Sequence, residues 1–190
     1  PPAAARAFTS SSSSFSSSSS SAPLEPTVLV SSSGSATVLT LNRPKKLNAL
    51  TLQMVRELTA GFRASSASSA SSSPASAVNI MVGAGGRAFC AGGDVAAVRA
   101  AGLGLGGADA SLTRDFFYEE YRLNHLIGET NETTPQVSVW DGITMGGGVG
   151  VSVHGRFRVC TEKVLFAKPE TGIGLFPDVG ASHFLGAMPG

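Results

Sequence analysis

From Thr27 onward the chain alternates short apolar runs rich in β-branched residues with segments of helical period, and glycine-rich loops join many of them. "TVLV" and "ATVLTL", separated by "SSSG", read as a hairpin. Thr51 is placed to cap a helix whose Leu52, Val55, Leu58 and Phe62 share one face. "AVNIMV" reads as a buried strand, "GAGGRAFCAGGD" as a glycine loop and "VAAVRAA" as a short helix. "GLGLGG" is a linker, and "TRDFFYEEYRLNHLIGE" is a longer helix. "QVSVW" is a strand, "GITMGGGVGVSVH" a glycine turn entering a helix, and "RFRVC" and "KVLFA" are strands. Strands and helices in alternation define an α/β domain, because each helix can cover a mostly parallel sheet.

Two serine-rich runs interrupt this pattern. Residues 1–26 carry one arginine, no acid before Glu25 and serine at almost every position from 10 to 21. Such a segment cannot bury enough apolar surface to offset its ordering entropy. It reads as an organelle transit peptide or as a plain disordered tail. "ASSASSASSSPASA", residues 64–77, reads as a flexible loop inside the ordered domain at 27–190. With 14 Lys+Arg against 13 Asp+Glu, nothing draws the chain toward nucleic acid or an anionic membrane. No apolar run approaches the ~18 residues of a membrane helix. Cys90 and Cys160 stand far apart without ligand spacing, and His125, His154 and His183 are isolated, so no metal site is expected.

The loops carry the chemistry. Gly102, Gly104 and Gly107 fit GxGxxG only formally, since they follow a helical segment rather than a strand. "GITMGGGVG" lacks the lysine of a phosphate-binding loop. Glycines at a helix start leave backbone amides bare, and such amides can hold a developing oxyanion. "CAGGD", just before another helix, offers the same donors; the alternative is a tight backbone crossing. "FAKPETGIGLFPDVG", Phe166–Gly180, sets Glu170 and Asp178 in apolar surroundings with no basic residue between them. Burying an unpaired carboxylate is costly.

"NRPKKLNAL", "GRAFCAGGD", "GITMGGGVG" and "PETGIGLFPD", in this order, resemble the enoyl-CoA hydratase/isomerase (crotonase) superfamily over roughly Val28 to Gly190. "FFYEEYRLN", "GITMGGGVGVSVHG" and "FAKPETGIGLFPDVG" resemble the 3-hydroxyisobutyryl-CoA hydrolase family within it. The resemblance implies a spiral of repeated ββα units. It implies an oxyanion hole made by the amides of Ala91 and Gly147, and an acyl-CoA cleft lined by Ala91, Gly92, Gly93 and Asp94. Hydratases carry two catalytic glutamates. One matches Glu170; at the other position this chain has Gly150, which disfavours hydration. The hydrolase resemblance makes Glu170 the catalytic carboxylate, attacking the thioester or activating water. Asp178 takes the place of a family glycine and is expected to recognise the substrate's hydroxyl. Both carboxylates could instead accept backbone N–H groups or cap the next helix.

Helical spacing sets Glu120 with Phe116, Leu123 and Ile127 on an apolar face. It is expected to be a substrate contact or a member of an internal ion pair. Glu119, three residues before Arg122, is expected to be a surface partner of it. The family implies no cofactor, with CoA entering as part of the substrate, and homo-oligomers at full length. Family members continue beyond "HFLGAMPG", so the chain reads as an N-terminal fragment. The expected activity is hydrolysis of a 3-hydroxyacyl-CoA, in valine breakdown, in the mitochondrion or another organelle reached by a transit peptide. The alternatives are a hydratase or isomerase, and a non-catalytic acyl-CoA- or RNA-binding relative; no basic-aromatic patch supports RNA.

Overall fold

The computed structural model describes residues 26–67 and 76–187. The serine-rich tail, up to residue 25, and most of the serine loop lie outside the described residues.

The hairpin forms as expected from β1 (Val28–Ser33) and β2 (Ala36–Leu41), paired antiparallel from Val28↔Leu41 to Ser33↔Ala36. All other strand pairs are parallel. β3 (Val78–Gly83) lies beside β2, β5 (Gln136–Trp140) beside β3, and β7 (Phe157–Cys160) beside β5, giving a five-stranded sheet. A second, three-stranded sheet takes β4 (Ala88–Cys90), β6 (Ile143–Met145) and β8 (Leu165–Ala167) in that order. Each turn of chain therefore lays one strand in the first sheet and the next in the second. An isolated parallel bridge, Leu50↔Gly93, supplies the second-sheet position for the β2 turn. This is the spiral of ββα units that the family resemblance implied.

Among the described residues five α-helices fill the turns: α1 (Leu52–Ser66), α2 (Val95–Gly102), α3 (Leu112–Thr130), α4 (Gly147–Val153) and α5 (Ala181–Ala187). The Thr51 hydroxyl caps α1, accepting from the Met54 amide at 3.2 Å. Val55, Leu58 and Phe62 are fully buried as expected, but Met54 rather than Leu52 completes the inward face. They pack with Phe116, Leu123 and Ile127 of α3 and with Leu39, Leu41 and Met81 of the larger sheet. Full burial of each such side chain contributes about 1.5–3 kcal/mol.

Three sequence-based boundaries move. α1 runs to Ser66, inside the segment read as loop from Ala64, because Ser65 is buried and its hydroxyl bonds the Phe62 carbonyl at 3.0 Å. The linker contains a short 3-10 turn at Leu105–Gly107. β4 and β6 occupy stretches read as glycine loop and glycine turn. Among the described residues no helix is long and apolar enough to cross a membrane.

Candidate active site

The strands of the smaller sheet run parallel and end together at Cys90, Met145 and Ala167. Three loops leave that edge side by side: Ala91–Asp94, Gly146–Gly147 and the stretch from Lys168. The carboxyl ends of parallel strands are the usual position of an α/β binding crevice. α3 crosses the same edge. Ala91, Gly92, Gly93, Glu120, Gly147, Glu170 and Asp178, expected as site residues from sequence, all line one cavity of about 230 Å³.

Close backbone approach explains the glycines. Gly92 has φ +106°, a conformation L side chains rarely adopt, and a Cβ there would meet Met145 O at 3.3 Å and Gly147 N at 3.6 Å. A Cβ at Gly147 would run into Glu120 Oε1. The Gly147 amide opens α4, and no backbone acceptor takes it among the described residues. The Ala91 amide differs from expectation. It donates to Leu47 O at 3.0 Å, continuing the strand-like pairing of this loop, and is not bare. Among the described residues, Gly92 and Gly93 are the positions in this loop whose amides have no backbone acceptor. Asp94 also departs from its expected place in the cleft. Its Oδ1 accepts from Ala97 N at 3.3 Å as the cap of α2, and its Oδ2 pairs with Arg43 at 3.1 Å.

The carboxylates of "FAKPETGIGLFPDVG" are paired, although the sequence shows no base between them. Lys168 lies just before them. Its ammonium sits 2.6 Å from Glu170 Oε1 and 3.3 Å from Asp178 Oδ1, and all three side chains are only 5–6% exposed. The Glu170 contact is ionic without hydrogen-bond alignment, so neither Glu170 oxygen has a hydrogen-bond partner among the described residues. Asp178 Oδ2 accepts from the Tyr121 hydroxyl at 3.1 Å. With its oxygens on Tyr121 and Lys168, the Asp178 side chain does not cap α5; its carbonyl takes the Ala181 amide instead. Burial, then the Asp178 charge, pushes the Tyr121 phenol above its ordinary value.

Glu120 is 1% exposed, and its Oε1 has no hydrogen-bond partner among the described residues. It forms no ion pair there either, so the internal-pair alternative is not what the structure contains. Burial pushes its carboxyl up to about 8, and the Asp178 and Glu170 charges add to this against an opposing Lys168. Glu119 is a surface partner, but of Arg56 on α1 at 2.7 Å; Arg122 donates to the Tyr118 hydroxyl instead.

Gly150 is closed to a side chain. A Cβ there would lie 2.7 Å from Val179 Cγ1 and 3.0 Å from Asn124 Nδ2. Val179 itself has φ +51°, unusual for a β-branched residue. Sequence reasoning had passed over Lys168, Tyr121 and Val179. Lys168 left a trace, a lone lysine in the apolar run "VLFAKPE". Tyr121 and Val179 left none, since their roles depend on which loops meet.

The class is defined by a parallel-strand spiral with glycine loops and carboxylates gathered at one end of its smaller sheet, and known proteins share it. The enoyl-CoA hydratase/isomerase family model matches residues 36–190, and the chain belongs to that family. It is 50% identical over 163 residues to the mitochondrial 3-hydroxyisobutyryl-CoA hydrolase of Gallus gallus, covering 86% of this chain and 40% of that protein. It is 48% identical over 163 residues to 3-hydroxyisobutyryl-CoA hydrolase 1 of Arabidopsis thaliana, covering 86% and 40%. The chain thus spans about 40% of the length of these curated relatives. Among solved structures, it is similar to a carnitinyl-CoA dehydratase from Mycobacterium thermoresistibile. That match has a TM-score of 0.74 and 42% identity over 87% of this chain and 46% of the other. It is also similar to an enoyl-CoA hydratase from Rhodobacter sphaeroides, with a TM-score of 0.75 and 40% identity over 86% and 46%.

Proposed function

We propose that this chain carries the acyl-CoA site of a thioester hydrolase that converts 3-hydroxyisobutyryl-CoA to 3-hydroxyisobutyrate and CoA in valine catabolism. The observation that carries the reading is the closed Gly150 position. Val179 and Asn124 occupy the space of a hydratase's second glutamate, which leaves Glu170 as the carboxylate at the family's catalytic position. One carboxylate where a hydratase has its catalytic pair, beside an amide donor, suits acyl transfer better than addition of water across a double bond.

In this reading the thioester oxygen lies against the Gly147 amide, with the second donor drawn from the Gly92–Gly93 amides rather than from Ala91. Glu170 Oε2, the oxygen away from Lys168, attacks the carbonyl carbon or takes a proton from the attacking water. The tetrahedral centre then collapses with loss of the CoA thiolate, which takes up the proton that water gives to Glu170; where Glu170 itself is the nucleophile, water next hydrolyses the acyl–Glu170 anhydride and frees the carboxylate. Asp178 accepts the 3-hydroxyl; its bonds to Tyr121 and Lys168 leave lone pairs free, since a carboxylate offers about four. The reaction so written calls on no cofactor or metal. The relatives' names support a mitochondrial location, and an acyl-CoA is the partner; assembly into a homo-oligomer at full length belongs to the same proposal.

The test is free CoA release and double-bond hydration by the full-length chain. The substrates are 3-hydroxyisobutyryl-CoA, isobutyryl-CoA and an enoyl-CoA. CoA release favouring the hydroxylated substrate, without hydration, is expected. Hydration without CoA release overturns the reading.

A further inference from the structure

The cavity holds three carboxylates, Glu120, Glu170 and Asp178, and Lys168 is the one basic side chain paired with any of them among the described residues. Lys168 is committed to Glu170 and Asp178. Like charges gathered in a buried site cannot all remain ionised, so one carboxyl keeps its proton. Glu120 is the one without a counter-ion and is 1% exposed. Among the described residues its Oε1 also lacks any hydrogen-bond partner, and it abuts Gly147, whose amide faces no backbone acceptor there.

We infer that Glu120 works as a neutral carboxylic acid, donating a hydrogen bond to the substrate oxygen that gathers negative charge beside the Gly147 amide. The role rests on the hydrolase reading above. A substrate oxygen seated at Gly147 would meet two donors from different elements, the amide opening α4 and the carboxyl of α3. The carboxyl keeps its proton throughout: it stabilises charge by donation and transfers nothing, so the base role stays with Glu170. Preorganised donors aimed at developing charge are worth most in a site of low polarity. The burial that raises the Glu120 carboxyl to about 8 keeps the donor form at neutral pH. The groups facing it are Asp178 before α5, Glu170 and Lys168 after β8, Cys90 on β4 and its own neighbour Tyr121. Burial pushes the Cys90 thiol up to about 12 and Tyr121 stands above its ordinary value, so neither competes near pH 8.

The experiment compares the parent, Glu120→Gln and Glu120→Ala in the full-length chain. CoA release is followed across pH, together with the infrared band of a protonated carboxyl. Glutamine keeps a donor and cannot ionise. We expect kcat/KM of the parent to fall as pH rises through about 8. Glu120→Gln should lack that fall and stay at least about tenfold faster than Glu120→Ala, whose loss should reach ~10²-fold, typical of one oxyanion donor. The protonated-carboxyl band should be present in the parent at neutral pH and absent from Glu120→Gln. Glutamine as damaging as alanine, the same alkaline fall in Glu120→Gln, or no such band in the parent overturns this role and leaves the hydrolase reading standing. A parent that releases no CoA from any acyl-CoA overturns the hydrolase reading and the role with it.

Discussion

Three carboxylates in one cavity, two of them sharing the Lys168 ammonium, divide into different tasks, and each task has its own signature. Glu170→Gln keeps the shape and removes the base or nucleophile, so CoA release should fall by about 10²–10⁴-fold with binding little changed. Survival of turnover within a few-fold would return Glu170 to a structural role. Asp178→Asn keeps the size but weakens an acceptor already shared by Tyr121 and Lys168. A site built to accept a hydroxyl rejects substrates lacking one, because a buried acceptor is left unpaired. The preference for 3-hydroxyisobutyryl-CoA over isobutyryl-CoA should therefore narrow; an unchanged ratio would sink the assignment. Glu120 has a stability signature as well. Its carboxyl stands at about 8 when folded against an ordinary 4.5. Between those values the unfolded chain has lost a proton that the folded chain keeps. The folded state thus binds more protons, and its stability falls as pH rises, by at most ~1.4 kcal/mol per pH unit. Glu120→Gln lacks this term. Its melting temperature relative to the parent should climb from about pH 4.5 to about pH 8 and then level. A pH-independent difference would show that Glu120 is ionised in the fold.

At the scale of elements, the smaller sheet assembles the site by ending three parallel strands at one edge, and glycine permits the loops beyond to touch. Gly92→Ala tests this. Its φ of +106° strains any L side chain, and an added methyl group would press on Met145 O at 3.3 Å and touch Gly147 N at 3.6 Å. The backbone cost should be about 1–2 kcal/mol, and the shift passed to the Gly146–Gly147 loop should slow turnover, with ~10²-fold the cost of a full ~1 Å misplacement. Gly34→Ala is the control: φ is +59° and nothing lies near the added methyl, so stability should drop while rate holds. Equal rate losses in both would show that the Gly92 contact is irrelevant to catalysis. The same elements show what the sequence could disclose. α1, α3 and the first-sheet strands carry period and length, and they were legible. β4 and β6 have three residues each, too short for alternation to register, and are strands only because neighbours pair with them. Glu120 was legible as an inward acid because helical period fixes direction. The Lys168 bridge, the Leu47–Ala91 bond and the Asp94 cap were not, because each depends on a partner brought in by the fold.

For the whole molecule, among the described residues the two sheets end on β7 and β8, and both strands carry exposed apolar side chains. Phe157 is 52% exposed, Val159 50% and Leu165 55%. Edge strands in native proteins are normally blunted by charge, proline or a covering element. Arg158, the charged residue within β7, turns its guanidinium back onto the Val153 and Gly155 carbonyls and does not guard the edge. A formal net charge of +1 adds little mutual repulsion. Exposed apolar surface drives association where it can be buried in contact, and at ~25 cal/mol per Å² a few hundred Å² of contact contributes several kcal/mol. The 190-residue chain should therefore self-associate as concentration rises, in a reaction that Val159→Lys suppresses by placing a charge on the open edge. Sedimentation velocity over a concentration series measures it, and a thermal melt at low concentration checks that the substitution leaves the fold intact. A parent that stays monomeric throughout, or a Val159→Lys chain that associates equally, would place the sticky surface elsewhere and leave the open edge of β7 without consequence.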